Sequence, residues 1–378
     1  MKKTHVPALF IIFLVAAALL LAVNRAGAQN AAANNSGKTA EQVFKNIQVL
    51  KGIPADQLQP TMQFIAGSLG VECTFCHVQN AFEKDDKKSK LAARKMIEMQ
   101  MAINKNHFDG DLRVTCYSCH HGAHEPAAIP AIAEEEPKRT EAANAAAKPE
   151  LPAADQVLDK YLQAVGGAEA VQKITSRVSK GTINFGAQEF PVTIAAKAPN
   201  KRISTVQLPN GAAITAFDGH AGWLGSPGGE TRDMTADDVD TIGLDAAFYL
   251  PVEMKTMFAQ FFVRPAADKI GGHEVYQLIG TKPGKPPVRF FFDKESGLLL
   301  RTVRYSQTPL GRNPIQVDFA DYRSEGGMKI PFQWSIARPL GRFTIKVSEV
   351  QQNVAIDDAK FQKPAAPAAP AEQKPAQK

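Results

Sequence analysis

The chain uses cysteine at four positions, and all four fall in two copies of one pattern. "VECTFCHVQN", residues 71 to 80, places His77 directly after the pair Cys73 and Cys76, and "VTCYSCHHGA", residues 114 to 123, does the same with Cys116, Cys119 and His120. Paired cysteines at this spacing serve disulfides, a four-cysteine zinc site or covalently attached haem. In C-x-x-C-H the two thiols form thioethers to the vinyl groups of the macrocycle, and the adjacent histidine reaches the iron from the same side. The doubled pattern therefore predicts two haem c groups, one held by Cys73, Cys76 and His77 and one by Cys116, Cys119 and His120. A zinc site would leave both histidines unexplained. Two tandem redox pairs outside a β-α-β context would be unusual.

The N-terminus sets the compartment. "MKKTHVPALFIIFLVAAALLLAVNRAGAQN" has a basic start, an apolar run from Val6 to Val23, and Ala26, Gly27 and Ala28 before Gln29. That order predicts a signal peptide over residues 1–28, cleaved after Ala28, and a protein of the periplasm or cell exterior. The alternative is an uncleaved membrane anchor, since roughly 18 apolar residues can just span a bilayer. Cleavage would remove Lys2, Lys3 and Arg25 and no acid, lowering the formal charge from +6 to +3. So weak a balance argues against a nucleic-acid partner.

An apolar content of 44% can fill real cores, and the length exceeds one typical domain. Residues 124–153, rich in Ala, Pro and Glu and without aromatic residues, cannot bury enough apolar surface to offset their ordering entropy and read as a disordered linker. The tail 362–378 reads the same way. Two compact regions are expected, 40–123 and 154–361. In the first, "AEQVFKNIQVL" puts Val43, Ile47 and Leu50 at helical spacing. "PTMQFIAGSLG" puts Met62, Ile65 and Leu69 on one face, and "SKLAARKMIEMQMAINK" stacks Ala92, Met96, Met99 and Ile103. In the second, a helix near 154–165 precedes alternating or aromatic-rich runs separated by turn signals, which predicts an antiparallel sheet of eight or more strands. A helical stretch over 235–260 is expected to cover one face of it. The fold class is α+β: a small all-α dihaem module, then a curved antiparallel sheet domain with covering helices.

A haem iron that only moves electrons needs a sixth ligand. Met62 precedes His77 by fifteen residues and would face the first iron if the chain folds back at Gly70; the bland reading is a core methionine. For the second iron the preceding helix offers Met96 and Met99 on one face and Met101 on another, with His107, His121 and His124 as rivals. His121 adjoins the proximal ligand and is badly placed to reach the opposite side.

Over residues 44 to 122, through "NIQVLKGIP", "PTMQF", "GVECTFCH", "AARKMIEMQMAIN" and "VTCYSCHHG", the chain resembles the cytochrome subunit of photosynthetic reaction centres. The resemblance implies methionine ligation from the helix before each motif, hence Met62 and Met96, with Met99 and His107 as alternatives for the second site. Members of that family from purple bacteria carry four haems where this chain has two motifs, and the family's arginine after the last motif histidine is His121 here. The second region, through "YLQAVGGAEAV", "DGHAGW", "FDKESGLLLR", "VDFADYR" and "NVAIDDAKF", is similar to the lipoprotein-carrier (LolA-like) fold, which implies a curved sheet wrapping helices and enclosing an apolar cavity. No nucleophile, base and orienter constellation accompanies it. His220 and His273 read as structural or solvated, and Asp218 and Trp223 as groove or core. The expected function is electron transfer between redox protein partners or within a membrane electron-transfer complex. The alternative is a binding protein for a lipid or other apolar ligand with a haem redox or sensor module. A dihaem peroxidase, which would need an open iron, is a lesser expectation.

Overall fold

The computed structural model describes residues 37–129, 150–229, 231–266 and 268–364. The expected signal peptide, the tail beyond 364 and residues 130–149 of the expected linker lie outside the described residues.

The first part is helical: α1 (Ala40–Val43), a 3-10 turn (Ala55–Gln57), α2 (Leu58–Leu69), α3 (Cys73–Cys76), α4 (Lys88–His107) and α5 (Cys116–His120). Helix α2 carries Pro60 in its first turn, where the missing N–H costs nothing, and stops at Gly70, whose φ of 65° is left-handed. The expected helix over 40–50 is reduced to the single turn α1. Phe44 is extended, and Asn46 adopts a φ of 60° while its side chain is drawn to Asp85 by a 3.0 Å hydrogen bond. A tertiary contact overrides the local helical spacing there.

The second part opens with α6 (Ala154–Ala164) and α7 (Gly167–Gln172). Thirteen strands follow: β1 (Ser176–Phe185), β2 (Gln188–Lys197), β3 (Lys201–Leu208), β4 (Gly211–Phe217), β5 (Gly222–Gly225), β6 (Thr231–Asp233), β7 (Gln260–Pro265), β8 (Val275–Thr281), β9 (Val288–Asp293), β10 (Leu299–Thr308), β11 (Gly311–Glu325), β12 (Met328–Arg338) and β13 (Gly341–Gln352). They alternate as half-buried strands do: Ile315 and Val317 are buried, and Pro314 is exposed. All thirteen form one antiparallel sheet in the order β6-β5-β4-β3-β2-β1-β13-β12-β11-β10-β9-β8-β7. Each half is a meander, and the first and last strands close the middle of the sheet by pairing Ile183 with Ile345.

This order leaves one long connection, from edge strand β6 to the opposite edge β7, and it must cross the whole sheet. The expected helix over 235–260 makes that crossing as two helices, α8 (Ala236–Ala246) and α9 (Leu250–Met257). The chain extends at Ala247, and Pro251, lacking an N–H, suits only the first turn of a new helix. Helix α8 touches β3 and β4 on one flank and β10 on the other. Strands β3 and β10 are six positions apart, about 29 Å across a flat sheet, whereas a helix is about 10–12 Å wide. The sheet is therefore strongly curved around α8. Its concave face is filled by side chains from α6, α7 and α9, among them Leu158, Tyr161, Val171 and Met254, packed on Leu278, Phe290 and Phe292.

A second core belongs to the helical part and contains Ala40, Leu50, Leu58, Phe64 and Ile97. Its sixth buried member, Leu310, comes from the tip of the β10–β11 hairpin and is 1% exposed. Beside it Gly311 lies so close to Phe64 that a Cβ there would stand 2.1 Å from the ring, and Asn313 donates to the carbonyl of Pro60 at 2.9 Å. The hairpin thus plugs into the helical core.

Candidate functional site

Helices α2 and α4 face each other across a cleft of about 260 Å³. The cleft is lined by Ile65 and Leu69 from α2 and by Ala92, Met96, Met99 and Ile103 from α4. These belong to the two apolar stripes legible in the sequence. They do not make the main core: α4 is anchored by Ile97, Gln100 and Asn104, and α2 by Leu58, Thr61, Phe64 and Ser68. Met96 and Met99 remain 45% and 46% exposed. Met62 lies one turn before Ile65 on the same stripe, half-buried against the helical core and outside the cleft lining.

Each cysteine motif forms one short helical turn that begins after an extended residue, Glu72 or Thr115. The turns cross over: α3 packs on α4, and α5 packs on α2. Both therefore open on the same space, where Phe75, Cys76, Cys116, Cys119, His120 and His124 complete the lining. The four thiols are free. Burial pushes the Cys76 and Cys116 thiols above their ordinary pKa, the opposite of the activated thiolate that disulfide exchange requires. Among the described residues no three His, Cys, Asp or Glu side chains converge as a metal cluster.

The two motif histidines share one geometry. His77 Nδ1 donates to the carbonyl of Phe82 at 2.9 Å, and His120 Nδ1 donates to the carbonyl of Ala123 at 3.0 Å. A carbonyl can only accept, so each bond fixes the proton on Nδ1 and leaves the Nε2 lone pair free for a metal. For His77 burial outweighs that bond and lowers the pKa, which favours the neutral ring.

Buried polar side chains hold both motifs in place. Asn104 accepts from the N–H groups of Arg113 and Val114 at 2.9 Å each and donates to the carbonyl of Val114 at 2.6 Å. Gln100 donates to the same carbonyl at 2.7 Å. After the first motif, Lys90 Nζ donates to the carbonyls of Phe82, Glu83 and Lys84 at 2.8, 2.9 and 2.7 Å. Lys90 and Arg94 both pair with Asp85, at 3.0 and 2.9 Å. Arg94, Gln100 and Asn104 were not singled out from sequence, because a polar residue on a helix reads as solvated until its partner is known.

The other candidates are dispersed. His107 ends α4 exposed and outside the cleft lining. His121 packs edge-on against Tyr117 in a left-handed residue. His124 enters the cleft beside Phe75 of the first motif, with ring centroids 5.5 Å apart. In the sheet, Asp218 accepts from the N–H groups of His220 and Ala221, a local turn. Trp223 is buried, with Nε1 donating to Phe361. His273 Nδ1 stands 3.4 Å from Asp293.

This arrangement fits haem c. Cys76, Cys116, Cys119, the His120 ring and two incompletely covered apolar stripes meet at one cleft, with Cys73 and His77 beside it and outside its lining, and a flat apolar macrocycle is the kind of group that would cover the stripes.

Comparisons with known proteins point the same way. Residues 16–165 match the family described as photosynthetic reaction centre cytochrome C subunit. The chain is 34% identical over 96 residues to the photosynthetic reaction center cytochrome c subunit of Thermochromatium tepidum, covering 24% of each chain. It is 35% identical over 85 residues to cytochrome c-554 of Chloroflexus aurantiacus, covering 21% of this chain and 20% of that one. The matched segment thus spans about a quarter of the length of these relatives or less. Among solved structures, a LolA superfamily protein from Nitrosomonas europaea aligns with 56% of this chain and 99% of its own at 12% identity, with a TM-score of 0.37. The helical region is similar to c-type cytochromes, and the architecture of the sheet rests on its own strand pairing.

Proposed function

We propose that the protein is an extracytoplasmic electron carrier with two haem c groups, attached at Cys73 and Cys76 and at Cys116 and Cys119. The observation that carries this reading is the matched pair of histidines, His77 and His120, each with Nδ1 donating to a backbone carbonyl and Nε2 left for iron. Haem bound there would supply a one-electron couple. The chain's own contribution is to fix the histidine tautomers, supply the remaining ligands and exclude water. Met62 is assigned to the first iron and Met96 to the second, with Met99 and His107 as alternatives. Met96 and Met99 line the cleft, and Met62 lies on the stripe that continues into it. A filled sixth position favours electron transfer over peroxide turnover. The partners are other redox proteins or a membrane electron-transfer complex. Among the described residues no helix is long and apolar enough to cross a membrane.

A pyridine haemochrome titration of the exported protein tests this directly, with two covalent haems per chain expected and one remaining after C116A/C119A. Colourless protein, or full haem content in that variant, refutes the assignment. Ferrous Met96→Ala should bind carbon monoxide where wild type does not, and wild-type behaviour would move the ligand to Met99 or His107.

A further inference from the structure

A second cavity, of about 810 Å³, opens where the helical part meets the sheet. Its size falls within the roughly 300–1,000 Å³ of small-ligand sites, which favour such junctions. The β10–β11 hairpin forms one wall, where Tyr305 pairs with Pro314 and Gln307 with Arg312. The segment entering the second cysteine motif forms the other, with Asp111, Leu112, Arg113 and, inside the motif, Tyr117. At one end the two parts touch: a Cβ on Gly67 of α2 would stand 2.5 Å from that of Pro339, in the β12–β13 turn.

Two kinds of group line this space without full cover from the protein. The first is apolar: Tyr117 and Leu112 stay 53% and 36% exposed, with Tyr305 half-buried. The second is cationic. Arg312 donates from Nε to Oε1 of Gln307 at 3.0 Å, which fixes the plane of the guanidinium and leaves its two Nη groups without a partner among the described residues. The Arg113 guanidinium meets Asp111 at 3.5 Å, in a pair whose side chains are 68% and 71% exposed, too open to water to hold it firmly. Two lining guanidiniums against one carboxylate leave about one positive charge, counting each ionised group as one. Arg289, outside the lining, stands 5.9 Å from the centre of the Tyr305 ring and adds charge of the same sign.

A ligand matched to these walls carries one negative charge on a planar fork of oxygens and a flat apolar body. A carboxylate accepts two parallel N–H bonds from a guanidinium edge, and an aromatic ring packs offset or edge-on against tyrosine. A phosphate monoester, at about −1.5 to −2 near neutral pH, exceeds the surplus. We propose that the cavity binds a small planar aromatic monocarboxylate, held at its carboxylate by Arg312 and Arg113 and covered along its ring by Tyr305, Tyr117 and Leu112.

The test is isothermal titration calorimetry of the full exported chain with naphthoate, its neutral amide naphthamide, and acetate. Saturable one-to-one binding of naphthoate is expected, with the amide and acetate each about tenfold weaker or more, since one lacks the charge and the other the ring. R312Q should weaken naphthoate binding about tenfold or more, and Y305L about two- to tenfold. K346Q, on an exposed lysine of β13, should leave it unchanged. Naphthoate should also raise the melting temperature of wild type and not of R113Q/R312Q. Arg113 and Arg312 are both exposed, so these substitutions remove no buried contact. Absence of saturable naphthoate binding, equal binding of the amide or of acetate, or undiminished binding by R113Q/R312Q, which would put the ligand elsewhere, overturns the proposal. Calorimetry reads binding whether or not haem is attached, so its outcome is separate from that of the haemochrome titration.

Discussion

Single side chains do the positioning in the helical part. Asn104 occupies three backbone groups of the segment entering the second motif, so Asn104→Ala would leave the N–H groups of Arg113 and Val114 without their acceptor. A loss of about 1–3 kcal/mol is expected in chemical denaturation, with Asn104→Asp keeping the acceptor and losing less. Asp85 does the same work after the first motif and is pH-dependent. The Arg94 guanidinium, then Asn46 and Lys90, hold its carboxyl well below the usual carboxylate range. Its contribution is therefore complete above the unfolded pKa of about 3.9 and is lost as pH falls through the depressed folded value. Asp85→Asn should flatten the acid limb of a plot of melting temperature against pH while changing little of its shape near neutrality. An unchanged acid limb would place the sensitivity elsewhere. The cysteines and motif histidines stand out in the sequence because C-x-x-C-H is a local pattern of spacing. The positioning roles of Asn104, Asp85 and Lys90 do not, since they depend on carbonyls that only the folded loops present.

At the scale of elements, the stripes on α2 and α4 were readable as helical faces, but what they face was not. Periodicity identifies an apolar side without saying whether it meets protein or a prosthetic group. The end of α2 shows how tightly the two motifs are tied. Gly70 has a left-handed φ, and a Cβ there would lie 2.0 Å from the carbonyl oxygen of Gly122, just past the second motif. The N–H of Gly122 meanwhile donates to Ser68 at 2.9 Å. Gly70→Ala should cost about 1–2 kcal/mol from backbone conformation alone, with more from the displaced segment. The expected sign is a lower melting temperature together with a change in the haem visible spectrum at the second site, and a variant indistinguishable from wild type in both would contradict the contact.

On the scale of the whole molecule, Leu310 ties the two cores together. It sits at a hairpin tip, where an apolar residue is usually exposed, yet it is buried among Phe64, Leu58 and Ile97. Leu310→Ala should cost about 2–5 kcal/mol and split thermal unfolding into two transitions, one for each core, as measured by calorimetry. A single transition shifted by less than that range would mean that the hairpin is not what couples them. No sequence pattern marks this residue, because its partner lies some 250 positions away along the chain.

The amino-acid sequence by itself determined the doubled C-x-x-C-H pattern, the helical and strand-forming regions and the antiparallel class of the sheet, since these follow from spacing and alternation within short windows. Only the tertiary structure decided that both motifs open on one cleft, that the β6-to-β7 crossing splits into two helices, and that Leu310 of the β10–β11 hairpin is buried in the helical core. Such convergences depend on sheet curvature and on which surfaces exclude water together, and no local window of sequence contains that information.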